Sequence, residues 1–167
     1  RDTITSGSLA SSLTAGYAHV CAVLNGGLSC WGANEYGQLG NASTNNAATP
    51  VVVIPALSGV TASAAGFRHT CALRSGAVWC WGSNSAGSTP ALIIASGATA
   101  VAAGLDFSCA VVANGARCWG DNDSGQLGDG TLVGNTQPTA IPTLQSNVTA
   151  ISAGYGFACA AVNSGVK

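Results

Sequence analysis

An all-β fold made of four-stranded blades is predicted by three observations. Cysteines recur in pairs nine residues apart, as Cys21 and Cys30, Cys71 and Cys80, and Cys109 and Cys118, and each pair runs into Trp-Gly. An Ala-Gly precedes the first cysteine of each pair, and precedes the lone Cys159, so repeats start near 15, 65, 103 and 153. The starts are 50, 38 and 50 residues apart, a period of about 46 that suits one four-stranded blade.

Within each repeat the residues between the cysteines carry a turn. In the first repeat Asn25-Gly26-Gly27 supplies residues that tolerate positive φ, the requirement of a tight hairpin. A two-residue turn at Asn25-Gly26 sets Cys21 opposite Cys30, and Ser75-Gly76 does the same for Cys71 and Cys80. Facing residues of a non-hydrogen-bonded pair lie about 4.5 Å apart at Cα, within disulfide range. In the third repeat Asn114-Gly115 stands one place later, so a three-residue bulged loop is expected there, with Cys109 still reaching Cys118. In the fourth, Asn163-Ser164-Gly165 marks the same hairpin, and the position that would face Cys159 follows Lys167. Cys159 is therefore expected to be unpaired by truncation, the chain being a piece or ordered part of a longer array. The opening at Arg1, without methionine or leader, reads as a processed or trimmed product.

Composition narrows the class. The 167 residues form a single repeat array, 1–167, 47% hydrophobic, with only 5 basic and 6 acidic residues. A net charge of −1 from scattered cations lacks the main driving term for nucleic-acid binding. The longest apolar stretches, such as 51–57, fall well short of the roughly 20 residues of a membrane-spanning helix. Zinc sites favour gaps of about two to four residues between paired cysteines, which these pairs do not have. Three regular cysteine pairs point instead to an oxidising compartment, hence a secreted or cell-surface protein.

The unit runs Ala-Gly, four residues, Cys-Ala, a hairpin turn, Cys-Trp-Gly, then Gly-Gln-Leu-Gly and a proline. It resembles the repeats of the regulator of chromosome condensation family. The resemblance is carried by 15–21 (Ala-Gly-Tyr-Ala-His-Val-Cys), by 31–40 from Trp31-Gly32 to Gly37-Gln38-Leu39-Gly40, and by 119–128 from Trp119-Gly120 to Gly125-Gln126-Leu127-Gly128. It implies a β-propeller, typically of seven blades, of which this chain supplies about 3.6. The second repeat departs from the pattern. It has 9 residues from Trp81 to Pro90 against 19 from Trp31 to Pro50, and it lacks Gln-Leu, a loss expected to fall in a loop and spare the strands. A partial ring leaves open edges that must be covered, by further residues of a parent chain in the favoured reading, or by other copies.

Aligned repeats test each conspicuous side chain by its counterparts. His19 and His69 share a slot with Phe107 and Phe157, so the slot calls for a flat ring in packed surroundings rather than a catalyst. Asp121-Asn122-Asp123-Ser124-Gly125 resembles the start of a calcium loop, yet Leu132 stands where a bidentate Glu belongs, and a turn is the better reading. The sequence shows no nucleophile elbow, phosphate loop or metalloprotease helix. No enzyme activity, cofactor or metal is expected. The second residue after each Ala-Gly is the most variable slot: Ala18, Arg68, Asp106 and Gly156. Variable polar positions on a rigid scaffold carry binding specificity, so Arg68 and Asp106 are candidate contact residues, followed by Trp79 and Tyr36. Asn41, Asn122 and Asn147 each head a glycosylation pattern. The expected role is a non-catalytic extracellular propeller module that binds a protein partner through blade loops. A structural subunit of an extracellular assembly or filament is the alternative, and a glycan-binding module a weaker one.

Overall fold

Each repeat closes into an antiparallel sheet whose strands are hydrogen-bonded in chain order. The computed structural model describes residues 10–53, 57–83, 87–163 and 165–167. Blade 1 comprises β1 (Ala10–Ala15), β2 (His19–Leu24), β3 (Gly27–Gly32) and β4 (Ala47–Val52). Blade 2 comprises β5 (Val60–Ala65), β6 (His69–Arg74), β7 (Ala77–Gly82) and β8 (Gly87–Ile94). Blade 3 comprises β9 (Ala98–Ala103), β10 (Phe107–Val112), β11 (Gly115–Gly120) and β12 (Asn135–Ala140). Blade 4 has β13 (Val148–Ala153), β14 (Ala158–Val162) and the two-residue β15 (Gly165–Val166). The short second repeat keeps all four strands, because its missing residues belong to the connection between β7 and β8.

The predicted register holds. Cys21 faces Cys30, Cys71 faces Cys80 and Cys109 faces Cys118. All three pairs are disulfides, with Cα atoms 4.1 Å apart. Cys159 is free and exposed. Lys167 exchanges both backbone bonds with Ala160, so the place opposite Cys159 lies one residue beyond Lys167.

The third hairpin corrects the expected bulged loop. Val112 faces Gly115, leaving a two-residue turn of Ala113 (φ 50°) and Asn114 (φ 64°), the same left-handed pair as Asn25-Gly26 and Ser75-Gly76. The opposed cysteines and the in-out alternation of β10 and β11 hold this register, and a one-residue slip would turn every side chain to the wrong face. Ala113 is thereby placed in a left-handed conformation that costs an alanine about 1 kcal/mol. Each turn also ties its blade to the next: the carbonyls of Gly26, Gly76 and Asn114 accept from the N–H groups of Val60, Ala98 and Val148.

First strands of successive blades touch one another, so β1, β5, β9 and β13 form the inner wall. The core lies between blades rather than within them. Cys21, Val23, Leu28 and Leu39 of blade 1 pack with Val60, Ala72 and Trp81 of blade 2. Blade 2 packs in the same way on Ala98, Ala110 and Trp119 of blade 3, and blade 3 on Val148 and Ala160 of blade 4.

Candidate functional site

The four Ala-Gly dipeptides end the inner strands, and there the backbones converge. A Cβ on Gly16 would collide with the Gly66 carbonyl and the His19 ring, and one on Gly66 with the Gly104 carbonyl and the His69 ring. Only glycine allows this approach. Beyond it a series of backbone bonds links blade to blade, from Tyr17 N–H to the Gly66 carbonyl (3.3 Å), Phe67 N–H to the Leu105 carbonyl (3.1 Å) and Leu105 N–H to the Tyr155 carbonyl (3.0 Å). The residues after Ala-Gly thus gather at one end of the inner wall, where Tyr17, Phe67, Leu105 and Tyr155 line a shallow depression of about 310 Å³. Tyr17 is 77% and Tyr155 74% exposed.

The variable slot is the next residue along the chain, outside the lining of this depression. Arg68 rests its guanidinium carbon 4.4 Å from the centre of the Tyr36 ring and 4.5 Å from that of Phe67. Tyr17 in turn packs on Phe67 at 4.5 Å. Two of the sequence-derived candidates, Arg68 and Tyr36, therefore meet across the boundary between blades 1 and 2. Tyr36 is positioned by its loop, which folds around the fully buried Asn34. Its Nδ2 donates to Asn41 Oδ1 and to the carbonyls of Ser43 and Asn45, and its Oδ1 accepts from Leu39 N–H.

Asp106 occupies the same slot one blade further on, beside a second depression that it lines with Ser83, Asp121 and Asn135. Its backbone carbonyl accepts from Asp121 N–H at 2.8 Å. Trp79 lies apart from the rim. It is on β7, half-buried against the cluster that contains Leu28, Val53 and Trp81.

The stretch that resembles a calcium loop is a second Asn-centred turn. Asn122 is fully buried and donates to Asp129 Oδ1 and to the carbonyls of Thr131 and Val133, whereas Asn147 is exposed. Hydrogen bonds from the backbone and then the side chain of Thr131 hold the Asp129 carboxyl below the usual range. Among the described residues no three His, Cys, Asp or Glu side chains cluster as metal ligands.

The two histidines bridge blades. His19 Nε2 bonds Thr70 Oγ1 at 2.8 Å, and His69 Nε2 bonds Ser108 Oγ at 2.8 Å, each hydroxyl belonging to the following blade. Thr70 spends its own proton on the Gln38 carbonyl, so His19 must donate from Nε2, and its buried Nδ1 has no partner. Burial pushes both imidazoles down to about 4. Sequence reasoning placed the rings in the core but missed these partners, although the signal was present: the residue after each ring is Val20, Thr70, Ser108 or Ala158, so hydroxyls follow the histidine blades and Ala158 follows the Phe107 blade.

This geometry agrees with what the chain is similar to. The repeat described as regulator of chromosome condensation (RCC1) matches residues 25–73 and 118–161, more than half of the chain, and a second description of the same repeat matches 10–38, 60–88 and 98–126. The chain belongs to the RCC1 repeat family. Three of the Ala-Gly dipeptides and Trp31, Trp81 and Trp119 lie within the RCC1-repeat matches. Among solved structures, human WBSCR16 is 20% identical with a TM-score of 0.81, over 97% of this chain and 46% of that one. Yeast RCC1 (Prp20), solved bound to Kap60, is 20% identical with a TM-score of 0.75, over 92% and 41%. The ectodomain of the Physcomitrella patens receptor kinase CR4 is 28% identical with a TM-score of 0.55, over 92% and 38%. The chain spans less than half the length of each. No curated protein matches it.

Proposed function

We propose that this RCC1-repeat propeller segment is a non-catalytic extracellular module that docks a partner protein on the rim where the inner strands end. The observation that carries the reading is the ladder of Tyr36, Arg68, Phe67 and Tyr17, drawn from two blades, in which the two tyrosines are exposed and Phe67 and Arg68 half-buried. Tyr and Arg are the side chains that concentrate binding energy at protein interfaces, and here they gather on a chain with 11 charged residues in all. Yeast Prp20 in complex with Kap60 lends support from the fold, and the CR4 ectodomain lends weaker support to an extracellular setting. Three disulfides support the same setting.

The test is a photo-reactive side chain placed at Tyr17 on the rim, or at Ser75 in a hairpin turn at the other end of the strands, in the chain as its own cells make it. A discrete adduct from position 17 and none from 75 is expected. Adducts from 75 alone, or from neither, overturn the reading, and recovery of the chain only from the cytosol overturns its extracellular part.

A second reading, a subunit of an extracellular assembly, is favoured by the low charge of the chain, 5 basic and 6 acidic residues, which lessens repulsion between neighbouring copies. Light scattering decides it, since a single monomeric species across the micromolar range removes self-assembly.

A further inference from the structure

We infer that Arg68 anchors a carboxylate side chain, an Asp or Glu flanked by apolar residues in an extended segment of the partner; this rests on the rim being the docking face. A guanidinium offers five N–H donors in one plane and no acceptor. In Arg68 two aromatic rings lie against the group, and among the described residues no acceptor or acidic group pairs with it. Ring contact attracts the cation but leaves its in-plane donors unused. A partly buried cation with unused donors in a fixed fork matches a carboxylate, which accepts two parallel bonds.

The surroundings define the rest of the ligand. Phe67, against which Arg68 rests, lines a depression together with Tyr17, Leu105 and Tyr155, which present apolar surface beside it. The matching slots of blades 1 and 4 hold Ala18 and Gly156, and blade 3 holds Asp106, which repels a carboxylate. Arg68 is therefore the one cation of its slot series, and the acidic residue of the ligand is directed to the boundary of blades 1 and 2. One isolated cation does not make a phosphate or nucleic-acid surface, which needs several in a row.

The experiment uses the oxidised chain and a fluorescein-labelled, amidated peptide Gly-Leu-Glu-Tyr-Gly, followed by anisotropy, with its Gln analogue and a phosphoserine analogue. Tighter binding of the Glu peptide than the Gln peptide by about tenfold is expected. Arg68→Gln is expected to abolish that preference, and Tyr36→Ala to weaken Glu-peptide binding severalfold. Thermal melts check that both variants fold. Equal affinity for the two peptides, a preference that survives Arg68→Gln, stronger binding of the phosphoserine peptide, or no binding at all overturns the assignment. The docking reading is judged separately: adducts at position 17 that persist when the peptides are not discriminated leave the rim as the docking face and remove only the carboxylate.

Discussion

Trp81 donates its indole N–H to the backbone carbonyl of Gln38 across the blade boundary, at 2.8 Å. The Gly-Gln-Leu-Gly run is thereby explained as a socket. Leu39 is fully buried against the indole cluster, and a Cβ on Gly40 would press into the indole ring. Repeat 2 lacks this run, and the next tryptophan along, Trp119, is buried with no partner for its Nε1.

Replacing the two tryptophans is therefore expected to cost unequally. Both Trp81→Phe and Trp119→Phe remove similar buried volume, but only the first breaks a hydrogen bond, whereas the second relieves an unsatisfied donor. Trp81→Phe is expected to be the less stable by about 1–2 kcal/mol in urea unfolding. Equal midpoints would refute the socket.

Acid is expected to weaken the inter-blade contacts. Both histidines have folded pKa values of about 4 against 6.5 in the unfolded chain, so between those pH values the unfolded state binds more protons. Stability is full above pH 6.5 and falls as pH drops towards 4, by up to about 3 kcal/mol for each histidine. The double variant His19→Phe with Thr70→Ala, which copies Phe107 and Ala158, is expected to flatten part of that slope. A slope unchanged in the variant counts against the pair.

Glycines at two places are expected to respond differently to alanine. Gly66→Ala drives a methyl into the His69 ring and the Gly104 carbonyl, whereas Gly59→Ala meets nothing within 4 Å and bears only the strain of φ +75°. Losses of about 3 kcal/mol or more and about 1 kcal/mol respectively are expected from chemical denaturation. A mild Gly66→Ala would mean that the blades approach less closely.

Thiol accounting is expected to give one label. Alkylation of the unfolded, unreduced protein adds one group, at Cys159, and alkylation after reduction adds seven. Removing the Cys71–Cys80 pair is expected to cost at most about 3 kcal/mol, because the bridge closes a short loop inside one blade. Two or more labels without reduction would contradict the pairing.

Much of this fold was legible because its repeats are short-range patterns. Cysteine spacing and the turn residues Asn25-Gly26 and Ser75-Gly76 determined the hairpin register, and the shared ring slot placed His19 and His69 in the core. The third turn was misread because Asn114-Gly115 is the stronger local signal, while the register held by Cys109 and Cys118 decides the outcome. The meeting of Arg68 with Tyr36 was not legible as a contact, since the two residues lie on different blades and the distance between them depends on the angle between sheets. Both were nonetheless named individually as candidates, Arg68 from the variability of its slot.

The alternation of imidazole with hydroxyl and phenyl with methyl gives each junction its own complementarity. A tandem duplicate of the second repeat would preserve every ring-to-hydroxyl match, because His69 would meet another Thr70 and the duplicate His69 would still meet Ser108, although the duplicate Trp81 would face a blade without the Gln38 socket. Duplicating the third repeat would set Phe107 against a hydroxyl with no imidazole to meet it. Growth or shuffling of such an array is thus not free: its units tolerate some successors and reject others.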